Sequence, residues 1–140
     1  QRLGRQDLSR DALDAVRWSF ERGWDPEHGG LFYFLDAQGR SPQPLEWSMK
    51  LWWPHAEALY AHLLDWSLTR DERDWEAFRR TDEWTFARFP DPEHGEWYGY
   101  LDRRGEVTHR FKGGPYKGCF HVPRALWLCV RLLVKLEAEA

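Results

Sequence analysis

Apolar positions along this chain follow two periods, and the switch between them happens in the same order twice. From Ser9 to about Arg22, Leu13, Val16 and Phe20 share a face at helical spacing, behind a Ser9 cap and an acidic Asp11. Asp25 to Gly30 reads as a turn. Leu31-Phe32-Tyr33-Phe34-Leu35 reads as a short aromatic strand, closed by a hairpin turn at Asp36-Ala37-Gln38-Gly39. Pro42 and Pro44 break the pattern, and a second helix is expected from Pro54 to about Leu68, with Leu59, Leu63 and Trp66 inward. A third is expected over Asp71 to Phe89, with Trp75, Phe78 and Phe86 on one face. Glu96 to Leu101 and Val107 to Phe111 predict a second hairpin around Asp102-Arg103-Arg104-Gly105. Pro123 then opens a fourth helix, whose face holds Leu126, Cys129, Leu133 and Leu136.

An internal repeat runs beneath this order. Asp25-Pro26-Glu27-His28-Gly29 returns as Asp91-Pro92-Glu93-His94-Gly95, and Leu35-Asp36 and Gly39 are answered in register by Leu101-Asp102 and Gly105. With one inserted residue, Lys50 then matches Lys117, Trp53 matches Phe120 and Ala58-Leu59 matches Ala125-Leu126. A repeat unit cannot bury its hydrophobic face alone, so units stack into arrays or rings. We expect one repeat over about 8–68 and another over about 71–138, each a helix, aromatic hairpin, loop and helix. An up-down bundle has no need of a long hairpin loop at the same place in each pair. The expected fold is therefore all-α, a partial arc of an α/α toroid with two helix-pair repeats and short β-hairpin insertions.

Composition narrows the function. A chain of 140 residues can bury roughly two thirds of its unfolded surface. Its net charge of -3 gives no basic footprint for nucleic acid and no polybasic membrane anchor. The opening QRLGRQDLSRDALD has no apolar stretch and reads as neither signal peptide nor transmembrane segment. Cys119 and Cys129 lack metal or redox spacing, so a reduced, cytoplasmic protein is expected. Ten tryptophans far exceed ordinary usage. Most suit helix packing, while Trp52-Trp53, beside charged and imidazole groups, suit stacking on a sugar.

Both repeats place polar groups among aromatics at a helix N-terminus, first in Lys50–Glu57 and again in Lys112–Arg124. The free N–H groups and dipole there disfavour a cationic imidazole, which points to His121 as a proton acceptor. Glu57 reads as a first-turn carboxylate that can pair with Arg124 and orient His121 or a sugar hydroxyl. Lys50 and Lys117 are either ligand contacts or solvated charges, and a structural role is expected for His55. His28 and His94 lie in turns. His62 and His109 show no partner, and the histidine spacing predicts no metal site.

The strings KLWWPHAEAL, KGGPYKGCFHVPRAL, GWDPEHGGLFYFLD and EWYGYLDRRG resemble the N-acylglucosamine 2-epimerases, also called renin-binding proteins, from about Gly23 to Leu133. The resemblance implies an (α/α)6 barrel, of which this chain is the C-terminal part. It also implies interconversion of N-acetylglucosamine and N-acetylmannosamine through deprotonation and reprotonation at C2 of the open-chain sugar. It makes His121 and Glu57 catalytic and places Trp52, Trp53 and Arg124 around the sugar, with Lys117 a further contact. It implies no cofactor for the chemistry and stimulation by ATP. The family's other catalytic histidine is expected upstream of Gln1, which leaves this chain inactive alone. Apolar helix faces left open by a partial arc predict association, such as a homodimer. An aldose–ketose isomerase and a non-catalytic protein-binding relative are the alternatives.

Overall fold

The computed structural model describes residues 6–139. Its elements are α1 (Gln6–Gly23), β1 (Lys50–Leu51), α2 (Trp52–Thr69), α3 (Glu72–Phe86), β2 (Tyr100–Leu101) and α4 (His121–Ala138). All four expected helices form, with shifted ends. Ser9 lies inside α1 and does not cap it. Both Pro54 and Pro123 are third residues of their helices, where the missing N–H is one that the first turn leaves unpaired anyway. Glu57 therefore sits beyond the first turn of α2. Only Arg70 and Asp71 connect α2 to α3. Arg70 closes α2 in the left-handed region at φ 57, and the Asp71 side chain accepts the Arg73 N–H to open α3.

α2 packs along α4 and against α3, whereas α1 touches it lightly. Leu59, Leu63, Ala56, Ala125 and Cys129 form the seam, joined by Trp84, Phe89 and Trp97. Fully burying each of the two leucines stabilises the fold by roughly 1.5–3 kcal/mol. The faces of the outer pair differ from expectation. The buried stripe of α3 is Asp74, Ala77, Thr81, Trp84 and Thr85, which leaves Phe86 46% exposed. Leu133 of α4 is also exposed.

The expected hairpins are shortened or altered. Asp36–Gly39 does turn, with the Gly39 N–H bonded to the Asp36 carbonyl. Leu31–Leu35, however, finds no partner strand directly after that turn. Pro42 and Pro44 supply no donors, and the Tyr33 and Phe34 N–H groups reach on to the Trp47 carbonyl. The second hairpin forms in short form: Leu101 bridges Val107, the Asp102 N–H donates to the Glu106 carbonyl and the Thr108 N–H to that of Tyr100. The two-residue strands pair antiparallel across the repeats, Lys50 with Leu101 and Leu51 with Tyr100.

Candidate functional site

The doubled block folds the same way twice. Asp25 Oδ1 accepts the N–H groups of Glu27 and His28, and Asp91 Oδ1 accepts those of Glu93 and His94. Gly29 and Gly95 close the turns at φ 71 and 68. One position further on, Gly30 and Glu96 share the left-handed region at φ 72 and 59. A Cβ on Gly30 would meet the Trp84 ring at 2.7 Å, so the first copy requires glycine. These turns aim the following loops over the N-terminal ends of α2 and α4.

Two buried lysines brace that layer. Lys50 Nζ reaches Asp25 Oδ2 at 3.1 Å and the Gly30 carbonyl at 3.3 Å. Burial alone would raise the Asp25 carboxyl, but hydrogen bonds from Arg103, the Glu27 N–H and Lys50 outweigh it and hold the group well below the usual range. Lys117 is 1% exposed, paired with the Glu96 carboxylate and bonded to the Lys112 carbonyl at 2.9 Å. Its expected contact with substrate is corrected: the ammonium is consumed inside the loop framework. Trp52 is 2% exposed, with its ring against Tyr100 at 5.3 Å and below the Lys117 ammonium, and it lines the cavity as a largely covered wall.

Glu57, His121 and Arg124 come together where α2 meets α4. Glu57 Oε1 lies 2.9 Å from His121 Nδ1, and Arg124 Nη1 donates to Glu57 Oε2 at 2.6 Å. An ionised carboxylate only accepts, so Nδ1 carries the hydrogen and Nε2 keeps its lone pair. Each of the three side chains is about one third exposed. The Trp53 ring lies 6.0 Å from the His121 ring and 6.4 Å from that of Tyr33.

A cavity of about 740 Å³ opens there, lined by Tyr33, Glu46, Met49, Leu51, Trp52, Trp53, Tyr100, Tyr116 and His121. Burial, with Tyr33 and Tyr116 nearby, raises the Tyr100 phenol above its ordinary range. The Tyr100 phenol thus remains protonated near neutral pH and can donate to a hydroxyl oxygen. Sequence reasoning missed the three tyrosines and Glu46. The signal available was the aromatic run in each loop, which was read as strand pairing and not as lining.

His55 has the structural role expected of it. It is fully buried, Nδ1 lies 2.7 Å from the Leu51 carbonyl, and Nε2 accepts the Leu31 N–H at 2.9 Å. Burial pushes its pKa down to about 3. His62 does find neighbours: with Asp65 of α2 and Asp74 of α3 it forms a buried group that histidine spacing alone did not reveal. No helix among the described residues is long and apolar enough to cross a membrane.

Helix pairs of this kind, joined by loops that bury polar groups at the helix starts, make an arc of an α/α toroid. The chain superposes on cellobiose 2-epimerase from Bacillus thermoamylovorans with a TM-score of 0.72 at 22% identity, covering 92% of this chain and 31% of that one. The sequence goes further than the fold. The chain belongs to the N-acylglucosamine 2-epimerase (GlcNAc 2-epimerase) family, whose profile matches residues 1–125. It is 58% identical to the N-acylglucosamine 2-epimerase of Bos taurus over 117 residues, 84% of this chain and 28% of that protein. It is 55% identical to that of Homo sapiens over 133 residues, 94% of this chain and 31% of that protein. The chain thus spans about three tenths of the length of the curated relatives it matches.

Proposed function

We propose that these residues form one side of the active site of a sugar 2-epimerase that interconverts N-acetylglucosamine and N-acetylmannosamine. The observation that carries the reading is the Glu57–His121–Arg124 cluster, whose His121 stands on the wall of a phenol-lined cavity, in a chain of this family. In the open-chain sugar the C2 hydrogen is acidic because the adjacent C1 aldehyde accepts the electron pair. His121 Nε2 takes that proton, and the negative charge moves to O1 of the resulting C1–C2 enolate, whose C2 carries the acetamido group. Glu57 accepts the Nδ1–H throughout, fixing the tautomer and steadying the imidazolium once it forms. Arg124 neutralises Glu57 and adds positive charge near the developing oxyanion. Trp53, half open to the cavity, is the stacking surface for the sugar chain.

Inversion at C2 needs a second proton donor on the opposite face. His121 is the one histidine on the cavity wall, and we assign the second group to chain beyond these residues. ATP stimulation and a homodimer belong to the same family reading and are assigned to no residue here. A second space of about 770 Å³ lies between α1 and α2. Its walls are mainly apolar, and though Trp53 and Glu57 border it, His121 does not, so the sugar is assigned to the smaller cavity.

The test is incubation of N-acetylmannosamine in deuterated water with the complete protein carrying these residues, followed by NMR. Deuterium at C2 of N-acetylglucosamine, lost in His121→Asn, supports the proposal. Deuterium at C1 of a ketose transfers it to the isomerase reading, and an unaffected His121→Asn variant removes His121 from the chemistry. The isolated chain should produce no epimer, and sustained turnover by it would place both proton donors within these residues.

A further inference from the structure

Far from His121, a second polar cluster occupies the apolar layer between α1, α2 and α3. His62 and Asp65 lie five and eight residues beyond Glu57 on α2, roughly 8 and 12 Å further along the axis. Asp74, in the first turn of α3, faces them, and one ligand atom from each of the three lies within 4.8 Å of the others. All three are buried, at 1%, 7% and 1% exposure. His62 Nδ1 stands 3.9 Å from Asp74 Oδ1 and has no hydrogen-bond partner, and Asp65 Oδ2 has none either.

Two orphaned polar atoms facing each other in a core cost more than most single contacts return, roughly 1–3 kcal/mol each. Natural interiors rarely leave such groups unmatched without an ion, water or proton. Their chemistry favours an ion. The unpartnered His62 Nδ1, on the Asp74 side of its ring, is a nitrogen of the kind that ligates a metal. Asp74 already receives Arg17, through Nε on Oδ1 at 2.9 Å and Nη2 on Oδ2 at 2.6 Å. Each carboxylate oxygen has a second lone pair, so Asp74 retains acceptor capacity toward His62. Arg17 offsets only one of the two carboxylates. Asp65 Oδ2 is left buried with no hydrogen-bond partner. A route from solvent exists as well: a cavity of about 400 Å³ is walled by Arg17, His62, Asp74, Glu72 and Glu76.

We infer that His62, Asp65 and Asp74 form a structural site for a divalent cation of the zinc type, tying α2 to α3 at the end opposite the sugar. One imidazole nitrogen and two carboxylates are a donor set that suits zinc, cobalt or manganese, with water completing the shell. The ion takes no part in the proton transfer at His121.

The experiment is calorimetric titration of the chelator-treated, dialysed protein with zinc chloride, alongside the visible spectrum of added cobalt(II). Expected are one equivalent bound with micromolar or tighter affinity and a cobalt band distinct from that of the hexaaqua ion. A higher unfolding temperature in zinc should accompany them. His62→Gln and Asp65→Asn should each weaken binding about tenfold or more, with helical circular dichroism recorded for every sample. Zinc binding unchanged in both variants would assign it to exposed histidines and overturn the site. A cobalt spectrum that stays hexaaqua in the unaltered protein overturns it independently of how the variants fold. That outcome would leave an ordered water or a proton on Asp65 as the occupant.

Discussion

Glu57 and His121 stand 64 residues apart in sequence, yet Oε1 of the one lies 2.9 Å from Nδ1 of the other. The pair spans the seam between α2 and α4, so the state of the base depends on how the two helices pack. Replacing Glu57 with Gln keeps the shape and puts an amide donor within reach of Nδ1, favouring the tautomer whose hydrogen is on Nε2. Turnover by the complete protein should fall about 10²–10⁴-fold, with a smaller change in KM. Steady-state kinetics across pH check this. An unchanged pH profile together with near-normal kcat would separate Glu57 from the function of His121.

Lys117 should matter for stability and not for sugar affinity. Lys117→Met removes the charge-assisted bond to Glu96 and the bond to the Lys112 carbonyl, at a cost of about 1–3 kcal/mol. Urea unfolding should show the loss while KM for the sugar stays within about twofold of the original, since the ammonium lies outside the cavity. A large rise in KM with unchanged stability would restore Lys117 as a sugar contact.

The glycines of the doubled turn should not be equivalent. Gly30→Ala pushes a methyl into the Trp84 ring at positive φ and should cost about 2–4 kcal/mol. A Cβ on Gly95 meets nothing within 4 Å, so Gly95→Ala should cost only the backbone term, about 1–2 kcal/mol. Chemical denaturation of both variants decides the order.

His55 should make the fold acid-sensitive. Its folded pKa is near 3, against an ordinary value of 6.5, so between those values the unfolded chain binds the additional proton. Stability from this group is complete above about pH 6.5 and is lost as the pH falls toward 3. From pH 7 to 5 the loss is about 2 kcal/mol. His62 works in the same direction, while Asp65, raised to about 6, works in the opposite one. Comparing the original protein with His55→Gln isolates the His55 contribution, and equal pH slopes for the two would contradict it.

The helices were legible because Leu59, Leu63 and Phe20 hold their periodic places, and the family was legible from strings that also hold the site. The strands were not. Leu31–Leu35 has the composition of a strand, but its continuation through Pro42 and Pro44 cannot supply the donors a hairpin requires; the strand that does form, Lys50–Leu51, pairs with Tyr100–Leu101, 50 residues on. The meeting of Glu57, His121 and Arg124 was legible from the matching helix starts of the two repeats. The burial of Trp52 and Lys117 was not. Sequence marks which residues carry polar or stacking chemistry, but the direction each side chain takes is decided by tertiary packing.

The pairing of β1 with β2 has a consequence for how the two copies relate. Asp25, in the first, receives Arg103 from the second, and Leu51 lies against Tyr100. The copies are interlaced like clasped hands, not strung like beads. Cutting the chain between Arg70 and Asp71 would strip each half of backbone and ionic partners supplied by the other. The smallest piece that can be exchanged, duplicated or inherited as a working part is therefore the pair.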